Sequence, residues 1–225
     1  MALPRHGGAG GWDGLGVTLR DRPRLIVGIS GASGTAYGVA ALEMLRRLEV
    51  ETHLVMTRAA TVTLAHELKL KLSELQALAS AVHGVENIGA AIASGSFRTI
   101  GMLVAPCSIR SLSEIAYGMT SNLLTRAADV VLKERRRLVL MVRETPLHLG
   151  HLRAMVQATE AGAVIMPPVP ALYARPASVD EIVRHSVGRA LDLFGLQSGD
   201  VLRWGEDIGV KPRPTRREPG ETRAT

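Results

Sequence analysis

The sequence contains one cysteine and very few aromatic residues. Cys107 is the only cysteine among 225 residues, which excludes an internal disulfide and a zinc site built from several cysteines. Aromatic residues make up 3% of the chain and hydrophobic residues 46%, so the core must be largely aliphatic. A chain with so little cysteine suits a reducing compartment, and we expect a cytoplasmic protein.

The sequence also has no long apolar run. None approaches the roughly 20 residues that a membrane-spanning helix needs. The first sixteen residues include six glycines and lack the apolar stretch of a signal peptide. We therefore expect a disordered N-terminal extension over residues 1–23, one folded domain over residues 24–210 and a disordered basic tail over residues 211–225.

The formal net charge of +6 comes mainly from the two ends of the chain. Residues 1–24 hold four arginines against two aspartates, and residues 211–225 hold five basic residues against two glutamates. The intervening chain is therefore close to neutral. Nucleic-acid binding requires basic residues clustered on a folded surface, so this distribution disfavours a nucleic-acid partner.

Short apolar segments alternate with segments of helical periodicity along the chain. Strands are predicted at 24–30, 51–57, 100–105, 138–142 and 163–166, and helices at 35–48, 59–68, 73–79, 111–117, 122–135, 151–161 and 178–194. Residues 80–98 have mostly the pattern of a loop. This alternation predicts an α/β fold: a single-domain, three-layer, doubly wound parallel sheet of the Rossmann or flavodoxin-like kind.

Two strand-to-helix turns are candidates for binding a phosphate group. The turn 31–34 (Gly-Ala-Ser-Gly) is small enough for a phosphate to reach backbone amides, although a tight turn that needs glycine explains it equally well. It matches neither the dinucleotide fingerprint nor a nucleophile elbow. The turn 106–111 carries Cys107, Ser108 and Ser111, for which helix capping is the simpler explanation. Together the two turns favour a mononucleotide pocket at the carboxyl edge of the sheet.

Charged residues outside these turns can be either solvated surface groups or groups that bind a ligand. Arg126 and Lys133 share one helical face, which is typical of a solvated stripe. Arg143 and Glu144 directly follow a buried strand, where an arginine can clamp an anion and a carboxylate can move protons. Arg189 lies off the apolar stripe of its helix and must face water or another subunit. A pair of histidines at 148 and 151 is weak evidence for a metal, and we interpret it as a surface feature.

Taken together, the sequence resembles the UbiX flavin prenyltransferases from about residue 24 to residue 204. The matching segments are Ile-Ser-Gly-Ala-Ser-Gly at 29–34, Ser-Gly-Ser-Phe at 94–97, Pro-Cys-Ser at 106–108, the runs 123–136 and 142–152, Gly-Ala-Val-Ile-Met-Pro-Pro at 162–168 and Arg-Trp at 203–204. The runs 123–136 and 142–152 are the most specific of them.

The resemblance implies roles for particular residues. The residues implied to contact FMN are Gly31, Ala32, Ser33, Thr57, Ser108, Ile109, Arg110, Ser111 and Arg143. Those implied to hold dimethylallyl phosphate are Tyr173, Arg189, Arg126 and Lys133. The implied catalytic residues are Ser33, Glu67, Lys133 and Glu144, with no metal. Thr57 stands where serine is usual and Arg189 where some members have lysine, and positions 110–111 depart from the commoner small-residue-plus-threonine pattern.

The resemblance also implies a reaction and partners. The enzyme would join the dimethylallyl group of dimethylallyl monophosphate to N5 and C6 of reduced FMN, and a UbiD-type decarboxylase would receive the product. The family implies a homo-oligomer, typically dodecameric, and we expect Arg189 and Tyr173 to complete a site whose FMN-binding turns come from another subunit. Two alternatives are an FMN-dependent decarboxylase of the peptidyl-cysteine type, whose catalytic histidine and asparagine-bearing clamp do not stand out here, and a non-catalytic FMN carrier.

Overall fold

The computed structural model describes residues 22–209. The disorder predicted for the two ends falls almost entirely on residues 1–21 and 210–225, which lie outside the described residues. Within residues 22–209, no helix is both long and apolar enough to cross a bilayer.

The described chain forms one parallel sheet of six strands. These are β1 (Arg24–Ile29), β2 (Glu51–Met56), β3 (Ala81–His83), β4 (Gly101–Cys107), β5 (Arg137–Val142) and β6 (Ala163–Ile165). The strand order is β3-β2-β1-β4-β5-β6, and every pair is parallel. This is the order of a doubly wound nucleotide-binding fold, as the sequence predicts.

Helices cover both faces of the sheet. In the described residues they are α1 (Thr35–Arg47), α2 (Arg58–Glu67), α3 (Leu72–Gln76), α4 (Ile109–Ala116), α5 (Leu123–Lys133), α6 (Leu149–Glu160) and α7 (Val179–Asp192). One aliphatic cluster joins α1, α2, α3 and α7 to one face, and a second joins α4, α5 and α6 to the other. Alternate residues of the central strands β1, β4 and β5 enter alternate clusters, so these strands are mostly apolar and buried on both sides.

The chain reverses its direction of winding between β1 and β4, and the two strand ends are joined there by a serine. Ser30 is fully buried; its Oγ donates to the carbonyl of Pro106 at 3.0 Å and accepts from the amide of Ser108 at 2.7 Å. Both hydrogen bonds join the turns that follow these strands. In such folds the crevice at this reversal is where ligands bind.

One strand was not predicted from the sequence. Residues 80–98 contain the edge strand β3 and a short 3₁₀ turn at Ala91–Ala93, where the sequence predicted mostly loop. A strand of three residues is too short to show a periodic pattern, and its pairing with β2 is set by tertiary structure. The other predicted elements are present, with ends that differ by one to three residues.

Candidate functional site

A cavity of about 380 Å³ opens at the carboxyl edge of the sheet, beside the reversal between β1 and β4. Its volume lies in the range of about 300–1,000 Å³ that is usual for small-molecule sites. The residues that line it are Gly31, Thr57, Arg58, Ala59, Val85, Glu86, Ser108, Arg110, Ser111, Glu114, Ser121 and Asn122. Five of the predicted FMN-binding positions are among them: 31, 57, 108, 110 and 111.

Two helices begin at this cavity with hydroxyl caps. Thr57 caps α2, its Oγ1 accepting from the amide of Ala60 at 3.2 Å, and Ser108 caps α4, its Oγ accepting from the amide of Ser111 at 3.3 Å. The capping interpretation of Ser108 is therefore correct. The first amides of each helix, at residues 58–59 and 109–110, have no hydrogen-bond partner among the described residues. Such amides and the positive ends of two helix dipoles suit a phosphate.

Charged residues at the rim complete the polar side of the cavity. Arg58 and Arg110 are exposed; Arg58 pairs with Glu86 at 3.3 Å and Arg110 with Glu114 at 3.0 Å. Glu114 is itself buried and also accepts hydrogen bonds from Ser121 and Asn122. Sequence reasoning missed Glu114, because a glutamate within a helix carries no signal that tertiary structure will bury it.

The Gly31 turn needs its glycines for two reasons. A Cβ at position 31 would collide with the Cβ of Ala59, so glycine there allows α2 to approach the end of β1. Gly34 has φ +105°, a left-handed conformation that favours glycine, and it starts α1. The tight-turn explanation of this segment is therefore correct. It does not exclude a role in binding, because Gly31 also lines the cavity.

A carboxylate of the chain itself occupies the start of α1. The amide of Gly34 donates to Glu67 Oε1 at 3.0 Å and Oε2 at 2.9 Å, and the amide of Thr35 donates to Oε2 at 2.9 Å. Burial would raise the pKa of Glu67, but hydrogen bonds from the Ser33 hydroxyl and these amides outweigh it and hold that pKa below its ordinary value. The sequence predicts a phosphate at this turn, but the structure shows that the amides of Gly34 and Thr35 already bind a carboxylate.

The contact between Glu67 and α1 leads to a stability prediction. Glu67→Gln should lower the free energy of unfolding at pH 7 by about 1 kcal/mol, as for the loss of a helix cap. Because the folded-state pKa is depressed, the stabilisation is complete above the ordinary value near 4.5 and is lost as pH falls through the folded value. Urea unfolding of both proteins between pH 7 and pH 3 measures the difference.

Glu86→Gln is the matched control, since it removes only a pair between exposed side chains, which contributes little. If the difference in the free energy of unfolding between wild type and Glu67→Gln stayed constant from pH 7 to pH 3, the stabilising role of the ionised Glu67 at α1 would be contradicted.

Cys107 takes no part in the cavity. Its side chain is fully buried, and burial raises the pKa of its thiol to about 12, so it stays protonated. The sequence placed Cys107 among three polar groups at this turn. The structure keeps the hydroxyls of Ser108 and Ser111 there and turns the thiol into the core beside α4 and α5.

Arg143 and Glu144 follow β5 and are both exposed. Burial raises the pKa of the hydroxyl of Tyr37, in the first turn of α1, and the positive charge of Arg143 offsets part of that rise. Glu144 accepts from the amide of Thr145 at 3.0 Å. Neither residue lines the 380 Å³ cavity, but both lie at the same edge of the sheet. Tyr37 is a further polar group there that sequence reasoning missed.

Tyr173 and Arg189 lie together in a second cavity of about 210 Å³, formed by the segment after β6 and by α7. Arg189 is half exposed and donates to Asp192 at 2.7 Å, while its helix buries Val187, Ala190 and Leu191. The prediction that Arg189 lies off the apolar stripe is confirmed. The two cavities share no lining residue.

Arg126 and Lys133 lie on the other face of the sheet from Arg189. They belong to α5, where Arg126 pairs with Asp129 and Lys133 with Glu134. Helix α5 starts beside the first cavity at Asn122, and its 11 residues span about 16 Å, so Lys133 lies far from that cavity. Within one chain, therefore, the four predicted phosphate-binding residues do not converge.

His148 has a structural role. It is the N-cap of α6, and its Nδ1 accepts from the amide of Gly150 at 3.0 Å, with the ring of His151 3.6 Å away between centroids. This capping contact accounts for His148, whereas the buried Nδ1 of His151 has no hydrogen-bond partner among the described residues.

The fold and the capped cavity define a mononucleotide-binding α/β protein, and comparison with known proteins gives the class. The model of the Flavoprotein family matches residues 18–191. The flavin prenyltransferase UbiX of Neisseria meningitidis serogroup B is 60% identical over 181 residues, which are 80% of this chain and 96% of that protein. The chain belongs to the UbiX flavin prenyltransferase family, as the sequence resemblance predicts.

Solved structures agree in fold. The crystal structure of AnUbiX, described as a complex with FMN and dimethylallyl pyrophosphate, is 50% identical with a TM-score of 0.80 and covers 81% of this chain and 97% of that one. A dodecameric FMN-dependent UbiX-like decarboxylase from Escherichia coli O157:H7 is 47% identical with a TM-score of 0.79, covering 80% and 98%. The FMN-dependent cysteine decarboxylase TvaF, 16% identical with a TM-score of 0.52, shares the fold alone.

Proposed function

We propose that this protein is a flavin prenyltransferase that transfers the dimethylallyl group of dimethylallyl monophosphate to N5 and C6 of reduced FMN. Family membership at 60% identity is the observation that carries the proposal. A structure of a relative at 50% identity is described as a complex with FMN and dimethylallyl pyrophosphate, which carries the same dimethylallyl group on a diphosphate and supports a dimethylallyl donor here.

The cavity beside the β1–β4 reversal fits FMN. Its donor set is what a phosphate monoester needs: the hydroxyls of Thr57, Ser108 and Ser111, free amides at two helix starts, and exposed arginines at positions 58 and 110. We place the phosphate at the starts of α2 and α4. The start of α1, which Glu67 occupies, instead borders the flavin through Gly31, Ala32 and Ser33.

Fixed cations are proposed to stabilise the negative charge of the leaving phosphate. Arg126, Lys133 and Arg189 would spread its negative charge as the allylic carbon–oxygen bond breaks, while Tyr173 orients the ester. This is the task that magnesium performs for many phosphate esters, so this residue set requires no metal. Reduced FMN supplies the nucleophilic atoms, N5 and C6, whose electron pairs form the new bonds to the electron-poor allylic carbons as phosphate leaves.

Two carboxylates are proposed to handle protons. Glu144 is exposed at the carboxyl edge and has only a local amide as a partner among the described residues, so it is free to accept the proton lost when the flavin ring regains aromaticity. The Ser33 hydroxyl lies close enough to the carboxylate of Glu67 to help lower the pKa of that carboxylate, so the two residues are proposed to act together in moving a proton beside the flavin.

Assembly into an oligomer is part of the proposal. The sheet separates α5 from α7, so Lys133 and Arg189 reach one phosphate only if they come from different subunits. Helix α6 also carries an exposed apolar stripe of Leu149, Leu152 and Val156, which suits contact with a second copy. A relative at 47% identity is described as dodecameric, and we propose a homo-oligomer of that kind here.

A cytoplasmic location and a UbiD-type decarboxylase as recipient of the product are also proposed. Both rest on the family and on the reduced flavin that the reaction consumes. Of the two alternatives, the cysteine decarboxylases share only the fold, and a carrier of FMN has no use for a second cavity with Tyr173 and Arg189.

Release of phosphate tests the proposed function. Incubated without oxygen with FMN, dithionite and dimethylallyl monophosphate, the protein should release inorganic phosphate, and should release none when FMN is left oxidised or omitted. A decarboxylase or a flavin carrier would release no phosphate under any of these conditions, and that result would contradict the proposal.

A further inference from the structure

Arg189, which we assign to the substrate phosphate, shares its carboxylate partner Asp192 with a second arginine, Arg203. Asp192 is mostly buried and accepts three hydrogen bonds: one from Arg189 Nη1 at 2.7 Å, and two from Arg203, at 3.0 Å from Nη1 and 2.9 Å from Nη2. Arg203 thus grips both oxygens of Asp192, whereas Arg189 makes a single bond to one of them. In the described part of the chain, the remaining N–H groups of Arg189 have no hydrogen-bond partner.

Arg203 is held in place by its own segment. Its amide donates to the carboxylate of Asp207 at 2.8 Å, and a backbone bridge between Trp204 and Ile208 closes the turn. Contact with Asp192 also raises the pKa of Arg203. The next residue, Trp204, packs its ring edge-to-face on Tyr173, with 5.7 Å between centroids. Residues 203–204 therefore contact Tyr173 directly and also contact Asp192, the carboxylate partner of Arg189.

The competition at Asp192 has a direct consequence for substrate binding. A free carboxylate prefers to bind a guanidinium through both oxygens, and a phosphate needs the same donors. With both oxygens of Asp192 bound by Arg203, fewer acceptor sites on that carboxylate are left for Arg189, which makes one hydrogen bond to it instead of two. The donors that Arg189 retains can then form a bidentate pair with phosphate oxygens.

We propose that Arg203 is a positioning residue for the substrate: by occupying Asp192, it keeps Arg189 available to the phosphate of dimethylallyl monophosphate. The inference rests on the proposed function, since it assigns Arg189 to that phosphate. Arg203 itself does not line the second cavity and acts through Asp192.

The test compares the KM for dimethylallyl monophosphate in three variants of the full-length, FMN-loaded protein. Arg203→Gln should raise KM about tenfold with kcat and FMN content little changed, because competition for a charge-assisted hydrogen bond is an effect of that order. Arg203→Lys, which keeps the charge but not the two-bond grip, should lie between wild type and Arg203→Gln. Adding Asp192→Asn to Arg203→Gln should bring KM back toward the wild-type value, since the competing charge is gone.

Arg47→Gln is the matched control. Arg47 lies on α1 and pairs with Asp200, so this variant removes an ion pair from the same C-terminal segment without touching Asp192. Its KM should equal that of wild type. A purely structural role for Arg203 predicts that the double variant is no better than Arg203→Gln; that result, or an unchanged KM in Arg203→Gln, overturns the inference.

Calorimetry separates this inference from the proposed function. If wild type forms no prenylated flavin, the proposed function fails, yet the dissociation constant for dimethylallyl monophosphate can still be compared among the same variants. The same order of affinities, with wild type tightest, the double variant next and Arg203→Gln weakest, supports the role of Arg203. Equal affinities overturn it.

Discussion

Replacing Lys133 with alanine is expected to leave FMN bound and to slow prenylation by about a hundred- to a thousand-fold, the usual cost of removing a group that stabilises transition-state charge. Lys133 is half exposed at the end of α5. This helix is about 16 Å long and starts beside the 380 Å³ cavity of its own chain, so the loss of Lys133 should not disturb the flavin. Its ammonium group is proposed to lie against the leaving phosphate in an assembled site. Single-turnover formation of the modified flavin measures the rate, and the flavin absorbance of the purified variant measures FMN content.

Lys69→Ala controls for loss of a positive charge from the surface. Lys69 is an exposed lysine in the segment between α2 and α3, outside both cavities. It should retain the wild-type rate. If Lys133→Ala also retained the wild-type rate, Lys133 would belong to a solvated helix face, the simpler interpretation that its sequence pattern allows.

Mixing two inactive variants is expected to restore activity. Lys133→Ala and Arg189→Ala should each be nearly inactive alone. Because α5 and α7 pack on opposite faces of the sheet, we propose that an active site takes Lys133 from one subunit and Arg189 from another. In oligomers reassembled at random from equal amounts, about a quarter of the sites then contain both native residues, so about a quarter of wild-type activity should return.

The outcome is quantitative and therefore easily contradicted. Subunit exchange is verified by native mass spectrometry with one variant carrying an affinity tag. If exchange is complete and activity stays at the level of the separate variants, each chain builds its site alone. The placement of α5 and α7 in the active site would then be wrong.

The fold was largely predictable from the sequence because its strands are buried on both faces. Runs such as residues 25–29 and 138–142 are apolar at every position, and helical periodicity separates them. The edge strand β3 escaped prediction because its three residues are specified by pairing with β2 and not by a local pattern. The sequence predicted a doubly wound parallel sheet, and the order β3-β2-β1-β4-β5-β6 comes from the structure.

The candidate site was predictable in its turns and not in its contacts. Gly31, Thr57 and Ser108 stand at strand ends, where the topology itself brings them to one edge. No sequence pattern shows that Glu67, more than thirty residues away, binds the amides of Gly34 and Thr35. For the same reason the phosphate was expected at α1, when the free amides belong to α2 and α4.

The separation of the two cavities was also beyond the sequence alone. The resemblance assigns Arg126, Lys133 and Arg189 to the same phosphate. The structure places the first two on α5 and Arg189 on α7, on opposite faces of the sheet. Only the packing of α5 and α7 shows that one chain cannot bring them together. The resemblance named the residues, and their placement on opposite faces of the sheet is the basis for proposing that they come from different subunits.

The most direct test of the proposed function is the mass of the flavin. Wild-type protein is incubated without oxygen with reduced FMN and dimethylallyl monophosphate, and the flavin is extracted and weighed by mass spectrometry. We expect a reduced flavin that is heavier than reduced FMN by C5H8 and forms only with active protein. The dimethylallyl group (C5H9) replaces the hydrogen on N5, and the hydrogen lost from C6 is balanced by one gained on the prenyl carbon chain as the ring closes. Unmodified FMN recovered from protein that binds both molecules would contradict the account.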